Sequence, residues 1–384
     1  MILIIADDLS GAAELAGLAA ARGYSAQVQT AFNPSPAAEV IALDTDTRSC
    51  SAQEAAGRIR EALQIAKHFA PAWIYKKTDS VLRGRVRAEL SSLLAATNSS
   101  RVLLIPANPA RGRLIRDGAY FVHGKPLNET VFANDPEYPA TTAGVRTLLS
   151  RDGGADIHLI GRARELPRGG IAVPDIEGPE DLADRVSSLP ENTLCAGAAE
   201  FFAALLATRS PGPRGSRRVP IGVPAGRALF VCGSAAAWPA RRDECPARGL
   251  PVFSLLPEAI AAAQGKESWA MTRGWIETIE RQVGERGGAV LAIGEPSGAV
   301  SPTELLAALC HVVFRILDRT RLDQLFLEGG ATAAAVIRAM AWTRLEVVGH
   351  LTPDLAWFQA ADGKSPWLAI KPGSYAWPEE VWGR

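Results

Sequence analysis

The feature that most constrains this chain is a repeated alternation. A short apolar run is closed by polar residues or glycine and followed by an Ala/Leu-rich stretch with helical spacing. Such alternation predicts βα units and a mostly parallel sheet flanked by helices. Residues 2–5 read as the first strand and 12–21 as the first helix, with Ser10 as its N-cap, Glu14 in its first turn and Gly23 past its end. Residues 40–43, 73–76 and 102–105 read as further strands. Each runs into a polar cluster: Asp44-Thr-Asp-Thr-Arg48, Lys77-Thr-Asp-Ser80 and Pro106-Ala-Asn-Pro109. Open α/β sheets hold ligands at the carboxyl ends of their strands.

A chain of 384 residues exceeds one ordinary core and fits two domains. The stretch 208–227 concentrates Pro, Gly and Arg between two apolar segments and reads as a linker, leaving domains at 1–207 and 228–384. The second half resumes the pattern, with strands expected at 228–232, 289–293 and 324–327 and helices at 302–317 and 331–340. Ser301, Pro302 and Glu304 supply an N-cap, a proline in the first turn and a capping-box partner.

Lys plus Arg and Asp plus Glu number 41 each, so no net field draws the chain to nucleic acid or an anionic membrane, and a small-molecule substrate is expected. The longest apolar stretches are broken by Glu200 or by His311 and Arg315, which predicts no membrane span. No basic, signal-like segment precedes Asp7-Asp8, which argues for the cytoplasm. The five cysteines are scattered without a C-x-x-C pair, and the five histidines share no motif.

No P-loop, G-x-G-x-x-G, H-E-x-x-H or G-x-S-x-G motif is present. Three segments offer phosphate-binding turns: Cys232-Gly233-Ser234, Gly329-Gly330 before a helix, and Lys371-Pro-Gly373. Each also reads as a plain tight turn, and Lys371 as a solvated cation. Asp7-Asp8 suits a general base, a Mg2+ ligand or a helix cap. Lys77, Asp79, Ser80 and Arg83 gather cations, a carboxylate and a hydroxyl in one loop, fit for a substrate carboxylate and hydroxyl or for a surface ion cluster. The loops 106–113 and 123–130 read alone as scaffold.

These segments, in this order, resemble the four-carbon acid sugar kinase family over nearly the whole chain. Ala6-Asp-Asp-Leu-Ser-Gly-Ala12 is similar to its A-D-D-L-T-G-A opening, and Lys77-Thr-Asp-Ser-Val-Leu-Arg-Gly84 to its K-x-D-S-T-L-R-G loop. Pro106-Ala-Asn-Pro with Gly112-Arg113, and Gly124-Lys-Pro-Leu-Asn-Glu-Thr130, are similar to two further motifs.

The resemblance implies an α/β protein of two domains, each a mostly parallel sheet flanked by helices, with the active site in the cleft between them. It implies transfer of a phosphoryl group from ATP, as MgATP, to a hydroxyl of a threonate, erythronate or 3-oxo-tetronate. Asp8 and Asp79 become candidate catalytic residues, with Asp8 as the base, and Lys77, Ser80 and Arg83 candidate substrate ligands. Ser234, Gly329, Gly330, Ala331, Thr332 and Gly373 become the nucleotide side. No metal ligand is assigned among the residues, and a homo-oligomer is compatible.

The departures from the family pattern lie mainly on the nucleotide side. Ala331 stands where the family carries an acidic residue, Tyr375-Ala376 stands for Phe-Gly, and the segment after Ser234 lacks its hydroxyl-rich run. Val81 replaces a threonine on the acid side. They leave open two further readings, a catalytically weakened relative that binds a sugar acid as a sensor, and a kinase of another small hydroxy acid.

Overall fold

Strand and helix alternate from the first residues of the computed structural model, which describes all residues except 34–37, 98, 136, 163, 210–221, 236, 296–299, 353–354, 374–375 and 383–384. The chain divides into two units, Met1–Arg217 and Arg218–Arg384. Most of the stretch read as a linker, 208–227, lies outside the described residues.

In the first unit β1 (Ile2–Ala6), α1 (Leu9–Ala21), β2 (Ala26–Gln29), β3 (Val40–Asp44), α2 (Ala52–Ala66), β4 (Trp73–Lys77), α3 (Val86–Thr97) and β5 (Arg101–Ile105) follow in order. A small antiparallel sheet of β6 (Arg113–Arg116), β7 (Ala119–Val122) and β8 (Lys125–Pro126) intervenes. Then come α4 (Val145–Leu149), β9 (Ile157–Ile160), β10 (Gly170–Pro174), α5 (Pro179–Ser187), β11 (Leu194–Gly197) and α6 (Ala199–Arg209). The main sheet of this unit runs β2-β3-β1-β4-β11-β5-β10-β9, with parallel pairing throughout. β1 and β3 are buried at every position, as strands covered on both faces must be. The Ala- and Gly-rich sequence of α1 buries most of its length, because small side chains let a helix settle close on a sheet.

The second unit contains β12 (Ala228–Cys232), α7 (Trp238–Ala247), β13 (Val252–Ser254), α8 (Pro257–Ala263), α9 (Arg273–Arg286), β14 (Gly288–Ala292), α10 (Pro302–Arg319), β15 (Gln324–Glu328), α11 (Gly330–Ala339), β16 (Arg344–Thr352), β17 (Leu355–Ala360) and β18 (Trp367–Lys371). Its strands run β13-β14-β12-β15-β18-β17-β16; the pairs up to β18 are parallel and the last two antiparallel. The core is aromatic: Phe230 and Phe326 stack at 4.3 Å between centroids, with Trp357 and Trp377 edge-on to Phe326. The capping box at Ser301 and Glu304 forms as the sequence predicts. Among the described residues no helix is long and apolar enough to cross a membrane.

One local expectation is corrected. α1 begins at Leu9, not at residue 12, and its N-cap is Asp8 rather than Ser10. Asp8 sits in extended backbone and accepts the Gly11 N–H at 2.9 Å, while the buried Ser10 hydroxyl donates to Asp8 Oδ2 at 2.6 Å. The carboxylate lies two residues earlier, where its charge also meets the positive end of the helix dipole.

Candidate active site

In the first unit the chain leaves β1 toward β2 and β3 on one side and returns to β4 on the other, which opens the strand ends at this point to a ligand. Asp7 and Asp8 follow β1, Arg48 follows β3, and Lys77 and Asp79 lie at and just past the end of β4. The Thr47 and Arg48 amides donate to Asp7 O at 3.0 and 3.2 Å, which turns Arg48 back over β1. Its guanidinium then serves two adjacent carboxylates: Nε donates to Asp7 Oδ2 at 2.8 Å, and Nη1 and Nη2 meet Asp8 Oδ2 and Oδ1 at 2.9 Å each. Asp79 Oδ2 stands 3.8 Å from Nη2.

Asp79 organises its own loop. Its Oδ1 accepts the Val81 and Arg83 amides at 3.0 and 3.1 Å, and both oxygens are gripped by the Arg83 fork at 3.1 and 2.8 Å. The buried Leu82 is thereby held at φ +61°, a left-handed conformation that a branched side chain seldom adopts. Arg83 Nη1 reaches on to Asp135 at 3.0 Å. Arg113, from the loop read as scaffold, donates to the Ser80 hydroxyl, and the guanidiniums of Arg83 and Arg113 lie 5.8 and 5.6 Å from the Phe132 ring centroid.

The electrostatics follow from this packing. Burial alone would raise the pKa of Asp8, but Arg48 and Lys77, helped by the Ser10 hydroxyl and Gly11 amide, hold it below the ordinary carboxylate value. Burial is likewise outweighed at Asp79, where Arg83 and Arg48 hold the carboxyl far below its usual range. Lys77 is buried, which lowers its pKa, yet Glu14, Asp7 and Asp8 more than compensate and keep it an ammonium. Beneath this layer Lys76 and Glu89 form a buried pair at 3.2 Å, and Thr47 donates to Glu89 at 2.5 Å. Asp7 Oδ1 and Thr78 Oγ1 are buried without a hydrogen-bond partner among the described atoms.

In the second unit the predicted nucleotide residues converge at the ends of β12, β15 and β18. Gly329 adopts φ +104° and caps α11, so the first N–H groups of that helix open onto the turn. The turns approach too closely for side chains. A Cβ on Gly233 would stand 2.0 Å from Thr332 Oγ1, and one on Gly373 2.7 Å from Ser234 Oγ. Ala331 is exposed in the first turn of α11. This glycine-lined cradle fits the phosphates of a nucleotide. Tyr375 lies outside the described residues.

Residues 2–205 match the family described as the sugar-binding N-terminal domain. The chain is 31% identical to the D-threonate kinase of Cupriavidus necator, over 88% of this chain and 85% of that protein. It is 28% identical to the D-threonate kinase of Salmonella typhimurium, over 92% and 89%. The chain belongs to the four-carbon acid sugar kinase family. A solved Haemophilus influenzae protein shares the fold at a TM-score of 0.69 and 19% identity, with 97% of each chain covered.

For this acid sugar kinase family member, the structure gathers Asp8, Lys77, Asp79, Ser80 and Arg83 in one cluster and Ser234, Gly329, Gly330, Ala331, Thr332 and Gly373 in another. Sequence reasoning assigned no role to Arg48, Arg113 or Asp135, which bind Asp8, Ser80 and Arg83 of the first cluster respectively. The signal was present for Arg48, in the polar run that closes β3. Lys371, read as solvated, is instead buried against Glu328.

Proposed function

We propose that this enzyme transfers the γ-phosphoryl group of MgATP to a hydroxyl of D-threonate or a closely similar four-carbon sugar acid. The first unit takes the acid and the second the nucleotide. The observation that carries this reading is the Arg48-centred cluster, where cations and ionised carboxylates meet at the strand ends of the sugar-binding domain.

Lys77 and Arg83 supply positive charge for the substrate carboxylate, and Ser80 with Arg113 supplies polar contacts for its hydroxyls. A hydroxyl oxygen attacks the γ-phosphorus, the bond to the β-phosphate bridging oxygen breaks, and ADP leaves. The hydroxyl proton passes to Asp8. Held ionised by Arg48, Asp8 is a weak base, so it chiefly orients the hydroxyl and takes the proton once the leaving bond has loosened, as loose phosphoryl-transfer transition states allow. Asp79, with both oxygens already engaged by Arg83, positions that arginine rather than moving a proton. In the second unit the close-packed glycine turns and the open N–H groups of α11 hold the phosphates, and Mg2+ arrives with ATP and neutralises their charge.

The test is coupled ADP release with MgATP against D- and L-threonate, D- and L-erythronate and their 3-oxo forms, with the product identified by mass. D-Threonate-dependent ADP release with a phosphorylated product supports the reading. Folded protein silent across the panel refutes the substrate class, and nucleotide binding measured alongside then separates another hydroxy-acid acceptor from a weakened binding protein.

A further inference from the structure

Each turn at the carboxyl edge of the second unit's sheet is tied to one member of a buried ion group. Glu328 ends β15 and immediately precedes Gly329; its Oε2 accepts from Arg241 Nε at 3.1 Å and its Oε1 from Lys371 Nζ. Lys371 ends β18. Its Nζ also donates to Pro372 O at 3.2 Å, and its carbonyl accepts the Gly329 N–H at 2.9 Å. Arg241 lies on α7, whose first residue, Trp238, donates its N–H to Ser234 O at 3.1 Å. One carboxylate thus joins the turns of Ser234, Gly329 and Gly373.

All three charged residues are deeply buried, at 2% exposure for Glu328 and Lys371 and 4% for Arg241. Glu244 also meets Arg241 Nη1 at 3.2 Å, but its side chain is 51% exposed and screened by water. The buried members therefore carry one net positive charge under the turns. A buried polar group of this kind costs desolvation energy and is weak evidence for stability as such, so its presence calls for another role.

We propose that Glu328 is the positioning residue of the nucleotide half: by accepting from Lys371 and Arg241 at once it fixes the three turns relative to one another. The proposal rests on the assignment of MgATP to this unit. Lys371 faces Glu328 from β15, Arg241 from α7, the Cys232 thiol from β12 and the Trp377 ring, whose centroid is 4.9 Å from Nζ. Burial lowers the Lys371 pKa and Glu328 opposes the fall, so removing the carboxylate charge lowers it further.

Isothermal titration with MgATP and with MgADP between about pH 6.5 and 9.5, below the ordinary Lys range, tests this on the full chain. Wild type, Glu328→Gln and Glu328→Gln/Lys371→Met are compared. The single variant is expected to bind roughly tenfold more weakly near neutrality, because Lys371 and Arg241 lose their shared acceptor and repel each other beneath the turns, and to recover part of that loss as rising pH deprotonates Lys371. The double variant keeps Arg241 as its one buried cation and the wild-type net charge, so it has neither the repulsion nor the alkaline recovery, and it is expected to bind weakly at every pH because the tie between the turns is gone. D-Threonate affinity stays at the wild-type value in both. A double variant with wild-type nucleotide affinity makes the ion group purely structural and overturns the proposal, and it decides the matter even if the single variant fails to fold. A folded single variant with wild-type affinity and pH profile overturns it equally. Wild-type protein that binds no nucleotide refutes the underlying assignment and the proposal with it, an outcome recognisable because it precedes any substitution.

Discussion

Arg48→Ala removes the guanidinium that bridges Asp7 and Asp8 and stands beside Asp79. Removing one partner of a buried ion pair costs roughly 3–5 kcal/mol, because the other charge is left unpaired in a poorly solvated place. Arg48 keeps 21% of its side chain exposed, which admits water and lowers the expectation to about 2–3 kcal/mol. At roughly 2–4 °C per kcal/mol for a unit of this size, the melting temperature should fall by about 4–12 °C at neutral pH. The pH dependence carries a sign. In the parent protein Asp8 is held below its ordinary pKa, so its stabilising contribution is present above the unfolded value of 3.8 and is lost only as pH falls through the depressed folded value. In the variant the largest opposing cation is gone and burial is opposed only by Lys77, the Ser10 hydroxyl and the Gly11 amide, so the folded pKa rises and acid relieves the strain. The deficit between parent and variant should therefore narrow as pH falls from about 7 to about 5. Differential scanning fluorimetry across that range reads both effects, and turnover with D-threonate should collapse in the same protein because Asp8 is no longer aimed. A melting temperature within about 1 °C of the parent, or a deficit that stays constant with pH, would refute the claim that Arg48 is the electrostatic centre of the cluster.

Asp8→Asn should retain the N-cap of α1, since Asn caps nearly as well as Asp, but lose the charge that Arg48 and Lys77 stabilise, so it should fold and melt below the parent, while kcat falls by roughly 100-fold or more; steady-state kinetics with wild-type turnover would reduce Asp8 to a cap. Arg83→Ala should raise KM for the acid and also destabilise by about 1–3 kcal/mol, because Asp79 and Asp135 both lose their donor, and Arg83→Lys should not rescue it, since an ammonium cannot supply the fork. Chemical denaturation together with KM checks both halves, and full rescue by lysine would remove the bidentate argument. Gly233→Ala should raise KM for ATP by about tenfold or more with KM for the acid unchanged, because the new methyl group would stand 2.0 Å from Thr332 Oγ1 and prise the turns apart. Unchanged ATP kinetics would show that the cradle does not hold nucleotide.

The strand ends were legible because each apolar run stops abruptly at polar residues, and that boundary is a local property. What local pattern does not carry is which polar side chain crosses to another strand. Arg48 stood in view within Asp44-Thr-Asp-Thr-Arg48, yet its partners lie 40 and 41 positions earlier, and only the parallel pairing of β1 with β3 brings them together. Lys371 looked like an ordinary solvated lysine for the same reason: Glu328 is 43 positions away and becomes its neighbour through the pairing of β15 with β18. Arg113 was masked by a loop whose composition, Pro, Ala, Asn and Gly, matches any ordered connection. The cap of α1 failed differently. Asp8 and Ser10 are both good N-caps, and the choice between them depends on where the strand releases the chain, a boundary that periodicity fixes only to within a few residues.

The two units open with the same winding and, on the proposed assignment, use it for opposite chemistry. β2-β3-β1-β4 in the first corresponds to β13-β14-β12-β15 in the second: of these four the second strand is outermost, the third fills the gap, and the fourth pairs on the far side of the first. Both therefore present the ends of their first and fourth strands side by side. In the first unit these ends carry Asp7-Asp8 and Lys77-Thr-Asp79, and the ligand would be met by charged side chains whose spacing can discriminate a carboxylate from the hydroxyls beside it. In the second they carry Gly233-Ser234 and Gly329-Gly330, and the ligand would be met by backbone, with the formal charge withdrawn one layer down into Glu328, Lys371 and Arg241. A triphosphate presents the same charged oxygens whatever base it carries, so a rigid amide-lined cradle suffices for it, whereas a four-carbon acid must be told from its stereoisomers and needs side chains. On this argument the neutral Ala331 is tolerable, because an exposed position in the first turn of α11 leaves the open N–H groups and the buried positive charge to do the binding. Substrate drift within the family should accordingly be written in the first unit, at positions such as Val81 and Arg113 around the Asp79 loop, rather than in the turns proposed to hold ATP.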